Sequence, residues 1–78
     1  MNEYVIKVRD KLSFVKSIYY SNLALKVCYV KGEDELALVF TNLSDAFHAC
    51  KLICPCSHEI VVALRTVKLA TYQYTELN

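Results

Sequence analysis

The chain has little of what phosphate-binding loops, secretion signals and membrane spans are built from. Its 78 residues include one glycine, one proline and no tryptophan. A single glycine cannot build the glycine-rich loop that cradles phosphates. No apolar segment of the kind found in signal peptides follows the start of the chain, and charged residues interrupt every apolar run well before the ~18 residues of a membrane span. We therefore expect an intracellular, cytoplasmic protein whose thiols are reduced.

Apolar residues, in contrast, are abundant. They make up 55% of a sequence in which we find neither a low-complexity run nor an internal repeat, so disorder is not expected. A chain of 8.9 kDa has room for one hydrophobic core. We predict a single small domain over residues 1–78.

The charges nearly balance, and they are unevenly distributed. The net charge is +1, which argues against a dedicated polyanion binder. Lysine and arginine dominate residues 1–31, while acidic residues dominate the middle of the chain. The simplest interpretation is that these charges solvate strand edges and turns.

The clearest periodic segment lies in the middle of the chain. Asn42 or Ser44 can cap its first turn, and Pro55 can end it, because proline lacks an N–H and disfavours helical geometry in the preceding residue. The apolar residues recur at the spacing of one helical stripe, and they are Leu43, Ala46, Phe47, Cys50, Ile53 and Cys54. We predict one main helix over about residues 43–54.

Alternating apolar and polar residues, the period of a β-strand, occur in several segments. Residues 3–8 alternate in this way. Residues 23–41 form two alternating runs joined by the polar turn Lys-Gly-Glu-Asp at 31–34, which holds the only glycine. Glycine suits a turn that needs a positive φ. We predict a β-hairpin over residues 23–41 as the best-defined β element.

Two segments are ambiguous. Residues 12–20 alternate as a strand except at Lys16, yet they also form a helical stripe, and their aromatic and β-branched residues favour the strand. Residues 59–75 contain no Gly, Pro, Asn, Asp or Ser and exceed the usual ~5–6 residues of a strand. They are compatible with a long bent strand, with two strands, or with a second helix capped by Ser57.

Together these elements predict an α+β fold, an antiparallel sheet with one main helix packed on one face. A helix at residues 12–20 would instead lead to a βαββαβ, ferredoxin-like order. One short helix covers only part of a sheet, and exposed apolar patches usually mark interfaces. We therefore expect an interface on the opposite face, and its candidate residues are Val5, Val15, Tyr19, Cys28 and Val39.

The leading hypothesis is a small non-enzymatic module that binds a partner protein and forms a homodimer. Compact chains without a catalytic motif are often inhibitors or accessory proteins of viruses and mobile elements. This expectation rests on that general association and on no residue pattern. No cofactor is expected. The first alternative is a nucleic-acid-binding module, because Lys7, Arg9 and Lys26 beside tyrosines would suit single-stranded nucleic acid.

The second alternative is a zinc-stabilised module through Cys50, Cys54, Cys56 and His58. Zinc sites usually use two separated ligand pairs, whereas two of these cysteines lie on the apolar stripe, where cysteine often serves as a small apolar residue. We therefore expect no bound metal. Cys56 beside His58 or His48 also suggests a nucleophile with a base. Such neighbours are common by chance, so we expect no enzymatic activity.

Overall fold

The computed structural model describes residues 2–31, 37–53 and 59–77. Within these ranges the chain forms β1 (Glu3–Val8), β2 (Ser13–Ser21), β3 (Ala24–Lys31), α1 (Leu43–Ile53), β4 (Ile60–Lys68) and β5 (Thr71–Glu76). The strands make one antiparallel sheet in the order β3-β2-β1-β4-β5. The helix packs on β1 and β4. The predicted α+β fold, with a single helix on an antiparallel sheet, is confirmed.

The predicted helix begins with the predicted cap. Asn42 Oδ1 accepts hydrogen bonds from the backbone N–H groups of Ser44, at 2.8 Å, and Asp45, at 3.3 Å. These are donors that the first turn of a helix leaves without an intrahelical partner. The helix runs to Ile53, and the expected stop signal falls within residues 54–58, outside the part of the chain that is described.

The helix covers the larger of two core clusters. The apolar stripe of α1 faces the sheet, so both surfaces are buried. This burial stabilises the fold by about 25 cal/mol for each Å² of apolar area removed from water. The fully or nearly fully buried members are Ile6, Val15, Ala46, Cys50, Ile53, Ile60 and Val62. Tyr4 and Phe40 pack at its margin. Four residues of the predicted stripe therefore seal this face, and they are Ala46, Phe47, Cys50 and Ile53. Leu43 is exposed, contrary to the prediction, and Cys54 lies outside the described residues.

The opposite face, which we call the far face, has a core of its own. Val5, Phe14, Ala37 and Ala63 are buried there, and Val39 packs against them. Part of the cover comes from residues 37–40 of the same chain. The expectation that this face would be bare is therefore wrong around the centre of the sheet.

Residues 37–40 occupy a gap between β1 and β2. These two strands pair directly only where Lys7 lies opposite Phe14. Beyond that position Leu38 N–H donates to the carbonyl of Val15 at 2.9 Å, while Tyr4 and Phe40 exchange two backbone hydrogen bonds of 2.8 Å. The segment thus bridges the two central strands where they diverge.

This arrangement corrects the predicted hairpin over residues 23–41. Its first half is β3, but β3 pairs with β2 through the two-residue turn at Asn22 and Leu23. Its second half returns to Tyr4 in the centre of the sheet, and residues 32–36 lie outside the described ranges. A two-residue turn closes β2 on β3 with little loss of loop entropy, which leaves residues 37–40 to fill the central gap.

Both ambiguous segments are extended. Residues 13–21 form β2, and a register shift between Val15 and Ser17 makes Lys16 the extra residue of a β-bulge. The bulge moves the alternation to the other face, so Phe14 belongs to the far-face cluster while Ile18 packs on the helix side. The ferredoxin-like order is therefore wrong, because its first helix is a strand.

The segment at residues 59–75 is two strands joined by a tight turn. Leu69 and Ala70 have φ values of 52° and 66°, and Asn22 and Leu23 have 52° and 63°. Two consecutive residues with positive φ define the type I′ turn, whose twist matches that of a hairpin. Because β2 and β4 both run antiparallel to β1, the two turns lie at the same end of the sheet.

Candidate interaction surface

Exposed apolar side chains concentrate at the end of the sheet that carries both hairpin turns. They are Tyr19, Tyr20 and Leu23 on the β2–β3 hairpin, and Val67 and Leu69 on the β4–β5 hairpin. The helix packs on β1 and β4, so the ends of the hairpins extend beyond its cover. We call Tyr19, Tyr20 and Leu23 the β2–β3 tip.

The β2–β3 tip presents apolar surface in three directions. Tyr20 is 71% exposed and Leu23 is fully exposed at the turn. Tyr20 pairs with Leu25, whose side chain packs on the helix side, while Tyr19 pairs with Lys26 on the far face. Side chains directly opposite in an antiparallel pair share a face, so the two tyrosines point to opposite sides of the hairpin.

Tyr19 and Cys28, two of the predicted interface residues, lie in contact on the far face. The Cys28 thiol donates a hydrogen bond to the Tyr19 hydroxyl with an S–O distance of 3.9 Å, and Cys28 is a free thiol. The hydrogen bond between these two groups, and then the charge interaction with Cys28, raise the pKa of Tyr19 above its ordinary value. The Tyr19 hydroxyl therefore stays protonated at neutral pH, as an uncharged polar group beside the tip.

The other predicted interface residues do not form one exposed patch. Val5 and Val15 have no exposed surface, and they belong to different core clusters on opposite faces. Val39 is half-buried against the far-face cluster. The exposure expected for Val5 and Val15 is therefore corrected: the bulge turns Val15 toward the helix, and residues 37–40 cover Val5.

An ion pair on the far face was not anticipated from the sequence. The Lys7 ammonium, with its side chain only 5% exposed, pairs with the Glu76 carboxylate and donates to the carbonyl of Val8 at 3.0 Å. Glu76 also accepts a hydrogen bond from the backbone N–H of Asp10 at 2.7 Å. The Lys7 contact first, and the Asp10 N–H second, lower the pKa of Glu76.

A second buried cation lies farther along the same face. The Arg65 guanidinium donates to Glu3 Oε1 at 2.9 and 3.1 Å, and it lies 4.3 Å from the centre of the Tyr72 ring. The Tyr74 ring lies 4.6 Å from that of Phe14. The Glu3 carboxylate and the Tyr72 ring stabilise a charge that would be costly to bury alone. Lysine and arginine inside apolar runs are the only sequence signal that such pairing was required.

Beside the Lys7–Glu76 pair lies an open cleft of about 340 Å³. It lies between the β1–β2 turn and β5, and its described lining consists of Lys7, Asp10, Lys11, Leu12, Tyr72, Gln73 and Tyr74. The Lys7 ammonium at this cleft is already neutralised by Glu76. No cysteine or histidine is among these lining residues, so they do not place a nucleophile beside a base.

The nucleic-acid candidates are not assembled into one basic patch. Lys7 is buried against Glu76, and Arg9, about half exposed, lies 3.8 Å from the carboxylate of Glu59. Lys26 is exposed on β3, two strands away from β1 in the sheet. Phosphate contacts need accessible cations, and of these three only Lys26 is both exposed and outside the observed ion pairs within the described ranges.

Of the four proposed zinc ligands, Cys50 lies within the described residues. Cys50 is buried in the helix-side cluster, consistent with the expected apolar role. Cys54, Cys56 and His58 lie outside the described residues. Among the residues that are described, no three His, Cys, Asp or Glu side chains come together as a metal site would need. The zinc hypothesis therefore stays a prediction about the segment after the helix, as does the pairing of Cys56 with a histidine base.

Comparisons with known protein families, curated proteins and solved structures returned no match. No helix in the described part of the chain is long and apolar enough to cross a membrane. The function is therefore inferred from the surface of this chain alone, and the β2–β3 tip is its most distinctive feature.

Proposed function

We propose that this protein is a small non-enzymatic module that binds a partner protein through the β2–β3 tip. The observation that carries the proposal is the exposure of Tyr20 and Leu23 beside Tyr19 on a hairpin that the helix does not cover. Clustered exposed apolar residues usually mark an interaction site. Tyrosine is also among the residues that contribute most to binding energy when they are buried at the centre of an interface.

The chemistry of the surroundings indicates the kind of partner. Lys26 is exposed on β3 next to the tip, whereas Lys31 is exposed at the opposite end of the same strand. A partner with an apolar pocket and an acidic rim would bury the tip and face Lys26, and such complementary charges guide association and register. Covering a pocket of another protein in this way is how an accessory or inhibitor protein would act.

A pair of tip substitutions tests the proposal. Tyr20→Ser with Leu23→Asn removes the apolar surface, and asparagine tolerates the left-handed backbone that residue 23 adopts. The matched control is Leu69→Asn, the same change at an exposed leucine in the other type I′ turn. Partners are captured from native cells with the wild-type chain, identified by mass spectrometry, and titrated against all three proteins.

We expect the double substitution to weaken the complex by at least about tenfold, as for a residue pair that contributes strongly to an interface, and the control to bind as wild type. A complex that tolerates the tip substitutions would overturn the proposal. Binding that nuclease treatment abolishes and Lys26→Glu weakens would favour the nucleic-acid alternative. Zinc found in a native mass spectrum, with a lower melting temperature after chelation, would instead favour the metal-stabilised alternative.

A further inference from the structure

The two edges of the sheet differ in how they are protected. One edge is β3, which carries the exposed lysines Lys26 and Lys31. The other is β5, and within the described chain nothing pairs with its outer side. Residues 71–75 read Thr-Tyr-Gln-Tyr-Thr, with no charge, proline or glycine. Natural proteins usually place lysine, proline or a bulge on a free edge to prevent further strand pairing, and β5 has none of these between residues 71 and 75.

The sequence of this edge is nearly palindromic about Gln73. From Leu69 to Leu77 it reads Leu-Ala-Thr-Tyr-Gln-Tyr-Thr-Glu-Leu, and only Ala70 and Glu76 break the symmetry. Two identical strands that pair antiparallel about a shared centre place each residue opposite its mirror position. A two-fold interface requires this kind of self-complementarity, because the same surface is used by both subunits.

We infer that two copies of this chain associate by antiparallel pairing of their β5 strands about Gln73, which joins the two sheets into one. In this register Thr71 lies opposite Thr75 of the second copy, and Tyr72 lies opposite Tyr74 of the second copy. Gln73 lies opposite itself on the two-fold axis. Threonine pairs and aromatic pairs are favourable when directly opposite in antiparallel sheets.

The backbone of β5 is oriented correctly for this pairing. The N–H of Leu77 donates to the carbonyl of Val62 on β4 at 2.9 Å. Backbone groups of successive residues in a strand point to alternate sides, so Tyr72 and Tyr74 direct their N–H and C=O groups outward. The register about Gln73 places these two residues opposite each other, and each pair then exchanges two hydrogen bonds across the dimer axis.

The side chains of β5 are also positioned in a way that is compatible with the pairing. Arg65 and Phe14 hold the rings of Tyr72 and Tyr74 against the far face, so the rings of two copies would form one continuous aromatic strip. Gln73 is exposed on the other face. The pairing brings the C-terminal end of each β5 to the turn of the other copy, where Leu69 is 91% exposed.

Charge favours β5 over β3 as the dimer edge. Pairing β3 with β3 of a second copy would bring together edges that both carry Lys26 and Lys31, and like charges across a sheet are destabilising. Pairing β3 with β5 of the next copy would leave a free edge at each end and propagate into an open-ended fibre. The β5 pair has no charge in its paired core, and it closes after two copies.

A single strand pair is a small interface. Interfaces below about 1,200 Å² are typical of weak complexes, so the dimer is expected to dissociate on dilution. It uses neither Tyr20 nor Leu23, and self-association at β5 is therefore independent of partner binding at the β2–β3 tip.

Charges placed on the two-fold axis test the inference. Gln73→Lys and Gln73→Glu each put two like charges opposite each other, and their equimolar mixture puts opposite charges there. The matched control is Thr66→Lys, because Thr66 is exposed and lies directly opposite Gln73 on β4, one strand inside the edge. Sedimentation equilibrium over a concentration series measures the monomer–dimer constant of each protein.

We expect wild type and Thr66→Lys to dimerise alike, each Gln73 variant alone to dimerise at least about tenfold more weakly, and the mixture to recover the wild-type constant. Recovery in the mixture also shows that the variants are folded. Hydrogen exchange at the amides of Tyr72 and Tyr74 should slow as concentration rises. A chain that stays monomeric at millimolar concentration, or a dimer indifferent to Gln73→Lys, would overturn the inference. A dimer lost with Leu23→Asn but kept with Gln73→Lys would assign self-association to the tip instead.

Discussion

Lys7 on β1 and Glu76 on β5 form an ion pair across the intervening strand β4. Glu76 lies opposite Ala63 on β4, and the small alanine side chain leaves room for the lysine to reach diagonally over the strand. The Lys7 side chain is almost completely buried, while that of Glu76 is 23% exposed. The pair therefore connects three strands, and its two charges are unequally shielded from water.

Removing either partner should destabilise the fold by different amounts. Glu76→Gln leaves a buried ammonium without its counter-charge. Because Glu76 itself is 23% exposed, we expect a loss of about 2–3 kcal/mol in the free energy of unfolding, below the roughly 3–5 kcal/mol of a fully buried pair. Lys7→Met leaves the more exposed carboxylate, which still accepts the Asp10 N–H, and we expect about 1 kcal/mol. Urea denaturation of both variants and of the double variant, which should recover part of the loss, measures the coupling.

The matched control for this pair is Glu59→Gln. The Glu59 carboxylate lies 3.8 Å from the Arg9 guanidinium, and both side chains are substantially exposed. Exposed pairs contribute about 0–1 kcal/mol, so this substitution should change stability little. Equal losses for Glu76→Gln and Glu59→Gln would contradict the assigned role of the buried pair.

The same carboxylate predicts how stability depends on pH. The pKa of Glu76 is lowered in the folded state, chiefly by the Lys7 contact and then by the Asp10 N–H. Its stabilising contribution is therefore complete above the ordinary pKa of glutamate, about 4.3, and is lost as pH falls through the lower folded value, because the unfolded state then binds the proton more tightly.

Denaturation midpoints should consequently show no pH dependence due to Glu76 between pH 7 and about pH 5.5, where its contribution is complete, and a decline below about pH 4.5. Glu76→Gln should flatten this acid decline, whereas Glu59→Gln should retain it. An identical decline in wild type and Glu76→Gln would show that other carboxylates control acid unfolding.

The β4–β5 turn should be stabilised by glycine. Ala70 has a φ of 66°, a region that costs a residue with a Cβ roughly 1–2 kcal/mol. Ala70→Gly removes this cost but raises the conformational entropy of the unfolded chain. We therefore expect a net gain of about 0.5–1 kcal/mol in the free energy of unfolding. Ala49→Gly is the same change within the helix and should lose about 1 kcal/mol. Thermal denaturation distinguishes the two signs, and a loss in both would exclude strain at Ala70.

The helix cap makes a separate prediction. Asn42 Oδ1 accepts the N–H groups of Ser44 and Asp45, so Asn42→Ala should cost about 1 kcal/mol in urea denaturation. Asn42→Asp keeps an acceptor and adds a negative charge at the positive end of the helix dipole, so it should match wild type or exceed it. Equal losses in both variants would exclude the capping role.

Local sequence information sufficed for the helix and for β1. The three- and four-residue spacing from Leu43 to Ile53 and the cap at Asn42 act over a single helical turn or two, so they can be recognised without knowledge of the rest of the chain. The alternation of residues 3–8 is similarly local. The helix and β1 lie where the sequence predicts them, because the residues that specify each element are close together in the sequence.

The hairpin at residues 23–41 shows where local information ended. Residues 37–40 alternate like a strand, but their partner is Tyr4 on β1, and nothing within the segment specifies that choice. The turn at Leu69 and Ala70 was invisible for a related reason. Neither residue favours positive φ, and the hydrogen bonds between β4 and β5 together with the packing of both strands offset the local strain.

By itself, the sequence determined that an apolar stripe on one short helix would be buried against an antiparallel sheet. Only the tertiary structure decided which charges neutralise one another and which apolar residues stay outside. Lys7 and Glu76 are 69 positions apart, and the strand order alone brings them together. The same order left Tyr20 and Leu23 beyond the reach of the helix and placed β5 at an open edge, because burial and pairing depend on neighbours in space.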